Sequence, residues 1–186
     1  MIRVAICGDS YSEEGFYTSP LKPRPISWVT RLRDDFDISS YAYRGMNNVE
    51  IYQSVPADDT YDVLIASLAP IARHGTGDPY YSGSWDPLVK ERCFIPEVRE
   101  NIRAAYRLTR YKNSYIWSSF SDYDNIPNIN YINIDEWDQH YHRRNHFEEQ
   151  KSGKWIYTNH YTEEGNHFIH QHMKHVIESI YKDKNI

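Results

Sequence analysis

The stretch Ile2-Arg3-Val4-Ala5-Ile6-Cys7-Gly8-Asp9-Ser10 decides the fold of this chain. Its first six residues are nearly all apolar, which is typical of a strand buried on both faces of a parallel sheet. The glycine and the polar residues after it predict a tight turn, in which Asp9 hydrogen-bonds backbone N–H groups. Ser10 then stands at the carboxyl end of the strand, where open α/β sheets bind their ligands. An exposed serine hydroxyl at that edge is a candidate nucleophile, although an ordinary strand-to-loop turn explains the same three residues.

Apolar runs and helical periodicities alternate along the rest of the chain. The order β-α-β-α-β-α-β-β-α predicts an α/β fold, a three-layer α/β/α sandwich with a central parallel sheet and right-handed crossovers. The 186 residues fit one domain, 1–186, without an internal repeat or linker. Strands are predicted at 2–7, 38–43, 61–67, 114–120 and 129–134, and helices at 25–35, 47–55, 96–111 and 162–182.

Helical spacing of apolar residues predicts which faces of the helices are buried. The short helix 47–55 has Val49, Ile51 and Tyr52 as its apolar positions. The first helix is predicted to bury Trp28, Val29, Leu32 and Phe36, and the last helix Ile169, Met173, Val176, Ile177 and Ile180.

Residues 69–95 interrupt the alternation with six prolines and glycines that include Pro70 and Gly83. A loop of this length in a compact domain is usually functional, often as a lid or a binding loop. Its aromatic residues Tyr80, Tyr81 and Trp85 fit either a substrate lid or the packing of a long loop.

Composition narrows the classes of partner. The net charge of -5 argues against a nucleic-acid binder, and the basic run from Arg99 to Lys112 is predicted to be a solvated helix face. The two cysteines, Cys7 and Cys93, show neither a disulfide framework nor zinc-ligand spacing. No apolar segment resembles a signal peptide or a membrane span, so we expect a cytoplasmic protein with no membrane partner.

The second informative stretch is His160-Tyr161-Thr162-Glu163-Glu164-Gly165, just before the last predicted helix. A histidine on that loop returns to the same edge of the sheet as Ser10. Thr162 is equally well explained as the N-cap of the helix.

The chain has nine histidines, which makes a metal site the obvious alternative. The spacings of His140, His142 and His146, and of His167, His170, His172 and His175, complete no known ligand motif, so we predict no metal and solvated histidines.

The chain resembles the SGNH (GDSL) hydrolase superfamily, particularly its small phage-type members. The resemblance lies in Gly8-Asp9-Ser10, in Gly45 after the second strand, and in the His-x-Thr-x-x-Gly pattern that begins at His160. Two further features extend the resemblance over nearly the whole chain. One is the helix that carries Trp28, and the other is the segment from Gly45 to Ile51, which is similar to the family's Gly-x-x-Asn-x-x-Ile turn. The resemblance implies a flavodoxin-like sheet and a serine esterase or deacetylase that needs no cofactor. It implies a small-molecule or carbohydrate ester as substrate, with an O-acetyl group on a carbohydrate as the candidate, and a viral or virion-associated location beside the cytoplasmic one.

The resemblance also assigns roles to residues. Ser10 is the implied nucleophile and His160 the general base, since a serine hydroxyl reacts poorly without a base within hydrogen-bond reach. The N–H groups of Ser10 and Gly45 would bind the oxyanion, because glycine lets the backbone approach a substrate closely. The further candidates for oxyanion or substrate contacts are Asn47, Asn48 and Arg73.

The chain departs from the family pattern in two places. Tyr157 stands three residues before His160, where the family has the aspartate that orients the histidine. Either Ser10 and His160 act as a dyad, or a carboxylate reaches in from the loop after the last strand. The third strand is followed by Ser67-Leu68-Ala69-Pro70 instead of a Gly-x-Asn-Asp block, so an asparagine donor is missing and Ser67, Asn47, Asn48 or Arg73 would have to replace it. The candidate carboxylates are Asp135, Asp138 and Glu148.

Two other hypotheses remain open at this point. The missing aspartate and asparagine favour a catalytically impaired binding or virion-associated protein on the same fold. The histidine-rich carboxyl-terminal part favours a metal-dependent enzyme or sensor.

Overall fold

The computed structural model describes residues 1–14, 26–71, 96–119, 123, 126–132, 161 and 163–184. One sheet lies at its centre, and all of its strand pairs are parallel. The strand order is β2-β1-β3-β4-β5, the order found in flavodoxin-like doubly wound sheets. The predicted parallel α/β sheet is therefore confirmed. The strands are β1 (Arg3–Cys7), β2 (Asp37–Ser40), β3 (Val63–Ser67), β4 (Ser114–Ser118) and β5 (Asn130–Tyr131).

Four helices in the described residues connect or cover these strands in the predicted order. They are α1 (Trp28–Leu32), α2 (Asn48–Gln53), α3 (Pro96–Leu108) and α4 (Glu163–Lys184). The prediction of a first helix over 25–35 was too long, because Ser27 caps α1 by accepting a hydrogen bond from the N–H of Thr30. The strands are also shorter than predicted, most of all β5. Beyond Ile71, the loop predicted at 69–95 lies outside the described residues.

The helices form two layers, one on each face of the sheet. Alternate residues of β1 serve the two faces, with Val4 and Ile6 on one side and Ala5 and Cys7 on the other. The face of Val4 is covered by α1 and α4, whose predicted apolar residues Trp28, Val29, Leu32, Phe36, Ile169, Met173 and Ile177 are all buried, with Val176 and Ile180 partly buried beside them. The opposite face is covered by α2 and α3 through Ile51, Val98, Ala105 and Leu108.

The basic run lies along the solvent side of α3, as predicted. Arg99, Arg103 and Arg107 are exposed, and the guanidinium of Arg107 lies 5.7 Å from the centre of the Tyr52 ring. Within the described ranges, no helix is both long and apolar enough to cross a membrane.

Candidate functional site

Ser10 lies in a tight turn directly after β1. The backbone N–H of Ser12 donates to the carbonyl of Asp9 at 3.0 Å, and the N–H of Tyr11 donates to the Asp9 carboxylate at 3.1 Å. Asp9 is fully buried, whereas Ser10 is only partly buried. The predicted role of Asp9 in fixing the turn is therefore confirmed.

Gly8 is required by the close approach of neighbouring side chains. A Cβ atom at this position would lie 2.9 Å from Ser12 Oγ and 3.1 Å from Ser67 Cβ. Ser12 follows in the same turn, and Ser67 ends the adjacent strand β3. Close packing therefore explains the glycine at position 8, and the hydrogen bonds of the turn explain Asp9. Neither explains the partly exposed Ser10.

The order of the strands gives the position of Ser10 its significance. Strand β1 pairs with both β2 and β3. The connection from β1 to β2 runs through α1 on one face of the sheet, and the connection from β2 to β3 runs through α2 on the opposite face. In open α/β sheets, ligands bind outside the carboxyl ends of the strands where the strand order reverses in this way. Ser10 and Ser67 lie at that edge, at the ends of β1 and β3.

Gly45 lies in a turn that is attached to the turn of Ser10. The N–H of Met46 donates to the carbonyl of Tyr43 at 3.3 Å, and Gly45 has a φ of 81°. A positive φ at the third position of a β-turn favours glycine because other residues have a Cβ. The N–H of Tyr43 donates to the carbonyl of Gly8 at 3.1 Å, which joins the two turns. The oxyanion role of the Gly45 N–H stays a prediction.

Asn47 is the N-cap of α2. Its side chain accepts a hydrogen bond from the N–H of Glu50 at 2.9 Å, and the Glu50 carboxylate accepts one from the N–H of Asn47 at 2.8 Å. This reciprocal pair is a capping box, which stabilises the start of the helix. The structure therefore gives Asn47 a structural use beside its predicted contact with substrate.

Asn48 is fully buried and joins the start of α2 to the end of β3. Its Oδ1 accepts a hydrogen bond from the N–H of Ala69 at 2.9 Å, and its Nδ2 donates to the hydroxyl of Tyr123. That hydroxyl in turn donates to the carbonyl of Ala69 at 2.6 Å. Among the predicted apolar positions of this helix, Ile51 is fully buried and Val49 only partly, while the polar Asn48 also occupies the interior. Sequence reasoning missed Tyr123 altogether.

The segment before α4 contacts the segment after β1. Tyr161 is buried, and its ring packs edge-on against the ring of Tyr11, with 5.3 Å between the ring centres and 68° between the planes. Tyr11 follows Ser10 in the sequence, and Tyr161 follows His160. The contact therefore brings together the neighbours of the predicted nucleophile and base. His160 itself lies outside the described residues, as do Arg73, Asp135, Asp138, Glu148 and Tyr157.

Two buried side chains hold this contact in place. The indole N–H of Trp28 donates to the carbonyl of Tyr11 at 2.9 Å, and the backbone N–H of Trp28 donates to Asn166 Oδ1 at 2.9 Å. Asn166 Nδ2 donates to the carbonyl of Tyr161 at 3.3 Å. Asn166 was also missed from the sequence, although an asparagine in the first turns of a helix is a signal, because its side chain tends to bond backbone groups.

A pair of charged residues lies beside the turn of Ser10. The Arg44 guanidinium lies 3.6 Å from Glu13 Oε1, while Glu13 Oε2 is buried with no hydrogen-bond partner among the described residues. Burial raises the pKa of Glu13, an effect that Arg44 opposes and the nearby Asp9 reinforces. Burial also raises the pKa of Tyr161 well above its ordinary value. The phenol of Tyr161 is therefore neutral at physiological pH.

Two of the histidines of α4 have partners near the amino ends of the strands, Asp35 before β2 and Tyr115 in β4. His167 and His175 are exposed, His170 Nε2 lies 3.3 Å from Asp35 Oδ2, and His172 Nε2 lies 3.1 Å from the Tyr115 hydroxyl. In the part of the chain that the structure describes, no three His, Cys, Asp or Glu side chains converge as metal ligands would.

A cavity of about 360 Å³ lies at the opposite edge of the sheet, where Ser114 begins β4 directly after Asn113 and Asn130 begins β5. The last turns of α4 close it with Ile180 and Asp183. Because it is lined by the amino ends of the strands, this cavity is separate from the turn of Ser10.

The chain matches no protein-family model, and a search of curated proteins finds no relative. The features that bear on function are the sheet, the turn of Ser10 and the contact between Tyr11 and Tyr161.

Proposed function

We propose that the protein is a serine hydrolase of the SGNH type, which cleaves an ester through an acyl-Ser10 intermediate. The single observation that carries the proposal is the packing of Tyr11 against Tyr161, with ring centres 5.3 Å apart. It supports a position of His160 near Ser10, because each of the two residues directly precedes one of the tyrosines. The position of Ser10 at the reversal of strand order adds independent support.

In the proposed reaction, Ser10 Oγ attacks the ester carbonyl while His160 takes its proton. The N–H groups of Ser10 and Gly45 stabilise the negative oxygen of the tetrahedral intermediate. The alcohol leaves with the proton from His160, and a water activated by His160 then hydrolyses the acyl group from Ser10. The candidate substrate is an O-acetyl group on a carbohydrate, and no cofactor takes part.

Among the residues that the structure describes, the carboxylates near Ser10 are already engaged, which leaves the partner of His160 to be sought elsewhere. Asp9 holds the backbone of the turn, and Glu13 is paired with Arg44. Asp135, Asp138 and Glu148 are the remaining candidates for orienting His160. If none of them does so, a dyad operates, and loss of such a carboxylate lowers kcat by about 10⁴-fold in the best-studied triads while leaving activity above background.

The first test is covalent labelling of the whole chain with a fluorophosphonate, read as intact mass. We expect one adduct on the wild type, none on Ser10→Ala, and one on Ser39→Ala, a matched change of an exposed serine on β2. His160→Ala should slow labelling by about 100-fold or more, since general bases contribute on that scale. An adduct that persists in Ser10→Ala would refute the proposal.

One observation favours a second candidate function, a catalytically impaired binding or virion-associated protein on this fold. At the end of β3 the N–H of Ala69 is bound to Asn48 Oδ1 at 2.9 Å, and the next residue, Pro70, has no N–H. Neither Ala69 nor Pro70 can therefore donate a backbone hydrogen bond to an oxyanion. A missing donor lowers kcat by about 100-fold to 1000-fold. A folded wild type without any fluorophosphonate adduct would favour this candidate.

A further inference from the structure

Asn166 lies near the start of α4 and is only 6% exposed. Its carboxamide bonds two other segments of the chain. Oδ1 accepts from the N–H of Trp28, 138 residues away, and Nδ2 donates to the carbonyl of Tyr161, which precedes the helix. One side chain thus satisfies a backbone N–H in the first turn of α1 and a backbone carbonyl just before α4.

Trp28 extends this connection to the turn of Ser10. Its indole N–H donates to the carbonyl of Tyr11 at 2.9 Å, and its ring is fully buried against Trp117, with ring centres 6.1 Å apart. A continuous path of hydrogen bonds therefore runs from Tyr11 through Trp28 and Asn166 to Tyr161. We call these four residues the carboxamide bridge. Both of its ends lie one residue after a proposed catalytic group.

Asparagine at position 166 is an unfavourable choice for helix formation by itself. Asparagine has a lower helix propensity than alanine or leucine, and a leucine would add to the apolar contact between α1 and α4. The chain instead places a polar group there, and both of its polar atoms find backbone partners in two different segments. A buried carboxamide with this geometry fixes the separation of those segments more narrowly than apolar packing does, because hydrogen bonds are directional.

We infer that Asn166 is a positioning residue, which sets the placement of Tyr161, the residue after the proposed base His160, relative to the turn of Ser10. The inference rests on the proposed function. Asn166 does not touch the substrate in this view, and it acts through the carbonyl of Tyr161 and through Trp28. Misplacement of a catalytic group by about 1 Å can cost about 100-fold in rate, so even a small shift of Tyr161 is expected to be measurable.

The test compares kcat and KM for 4-nitrophenyl acetate, over a range of pH, in the full chain. Asn166→Ala removes both bonds, and Asn166→Asp keeps the acceptor for Trp28 while losing the donor to Tyr161. Glu164→Ala, an exposed neighbour on the same turn, is the control. We expect kcat of Asn166→Ala to fall by about tenfold to 100-fold with KM unchanged, measured below its thermal transition. The acid limb of the pH profile should shift, because the general base is displaced.

A purely structural role predicts a different result. The folded fraction of Asn166→Ala would then keep the wild-type kcat and pH profile, and only its melting temperature would fall, which would overturn the inference. If Asn166→Ala does not fold, the same comparison on Asn166→Asp and on Trp28→Phe, which loses only the indole donor, decides between the two. A wild type that neither hydrolyses the ester nor takes the fluorophosphonate would refute the proposed function, and the inference with it. A wild type that reacts, beside an Asn166→Asp that reacts equally, refutes the inference alone.

Discussion

Asn48 and Tyr123 are 75 residues apart in the sequence and share a buried hydrogen bond, donated by the carboxamide to the phenol oxygen. Both residues also bond the backbone of Ala69, one at its N–H and the other at its carbonyl. The three residues form a closed ring of hydrogen bonds at the end of β3, which joins that strand to the start of α2.

This ring predicts strong coupling between two substitutions. Tyr123→Phe removes a hydroxyl and leaves the carbonyl of Ala69 and Asn48 Nδ2 without this partner, so we expect a loss of about 1–3 kcal/mol in the free energy of unfolding. Asn48→Ala should cost at least as much, because it orphans the N–H of Ala69. Urea denaturation of both single variants and of the double variant measures the coupling. The double variant should lose clearly less than the sum of the two, and simple additivity would contradict the ring.

Gly8→Ala tests the close contact at the end of β1. The added Cβ would lie 2.9 Å from Ser12 Oγ and 3.0 Å from Ser12 Cβ, which forces the turn of Ser10 to shift. Overpacking of this kind costs about 1–3 kcal/mol. Ser12→Gly removes both of those atoms, so Gly8→Ala should cost less in a Ser12→Gly background than in the wild type. Chemical denaturation of the four proteins gives the comparison, and an equal cost in both backgrounds would show that Ser12 is not the obstacle.

Cys7 is predicted to be unreactive in the folded protein. It is fully buried, and burial raises the pKa of its thiol to about 11, with a hydrogen bond to Ser54 acting in the opposite direction. Near pH 8, about one thiol in 1,000 is then ionised. N-ethylmaleimide followed by peptide mapping should leave the Cys7 peptide unmodified in the native protein and modify it after denaturation. Modification of native Cys7 at the rate seen in denatured protein would contradict this.

Asp35 is predicted to make the stability depend on pH. A hydrogen bond from Lys174 lowers the pKa of Asp35 most, burial opposes this, and a hydrogen bond with His170 lowers it further. A carboxyl with a lowered folded-state pKa stabilises the fold above its ordinary pKa, and this stability is lost as the pH falls through the lowered value. Asp35→Asn should therefore reduce the free energy of unfolding at neutral pH, and the difference from wild type should vanish in acid. Asp34→Asn, a change of the exposed neighbour, is the matched control.

The architecture was predictable from the sequence because it follows from local patterns. Buried parallel strands such as Val63–Ser67 are continuous apolar runs, and the inward face of α4 is a repeat of apolar residues at helical spacing. These patterns need no knowledge of the partner. The start of α1 at Trp28 could not be predicted in the same way, since a helix can begin either at Pro25 or after Ser27.

The polar interior was not predictable for a physical reason. The burial of Asn48 or Asn166 is favourable only when distant backbone groups satisfy their carboxamides, and those groups lie on Ala69 and Trp28. A sequence pattern contains no record of such partners. Ser10, Gly45 and Trp28 were singled out by local motifs, and the structure brings the turns of Ser10 and Gly45 together through the bond from Tyr43 to Gly8.

The packing of α4 against β1 has a consequence for synthesis on the ribosome. Val4 and Ile6 emerge well before α4, yet the core that they belong to is completed by Ile169, Met173 and Ile177. Until α4 has left the exit tunnel, the nascent chain exposes one apolar face of its central strand. Exposed faces of this kind are what chaperones bind and what drives aggregation, so the protein is most vulnerable while it is being translated.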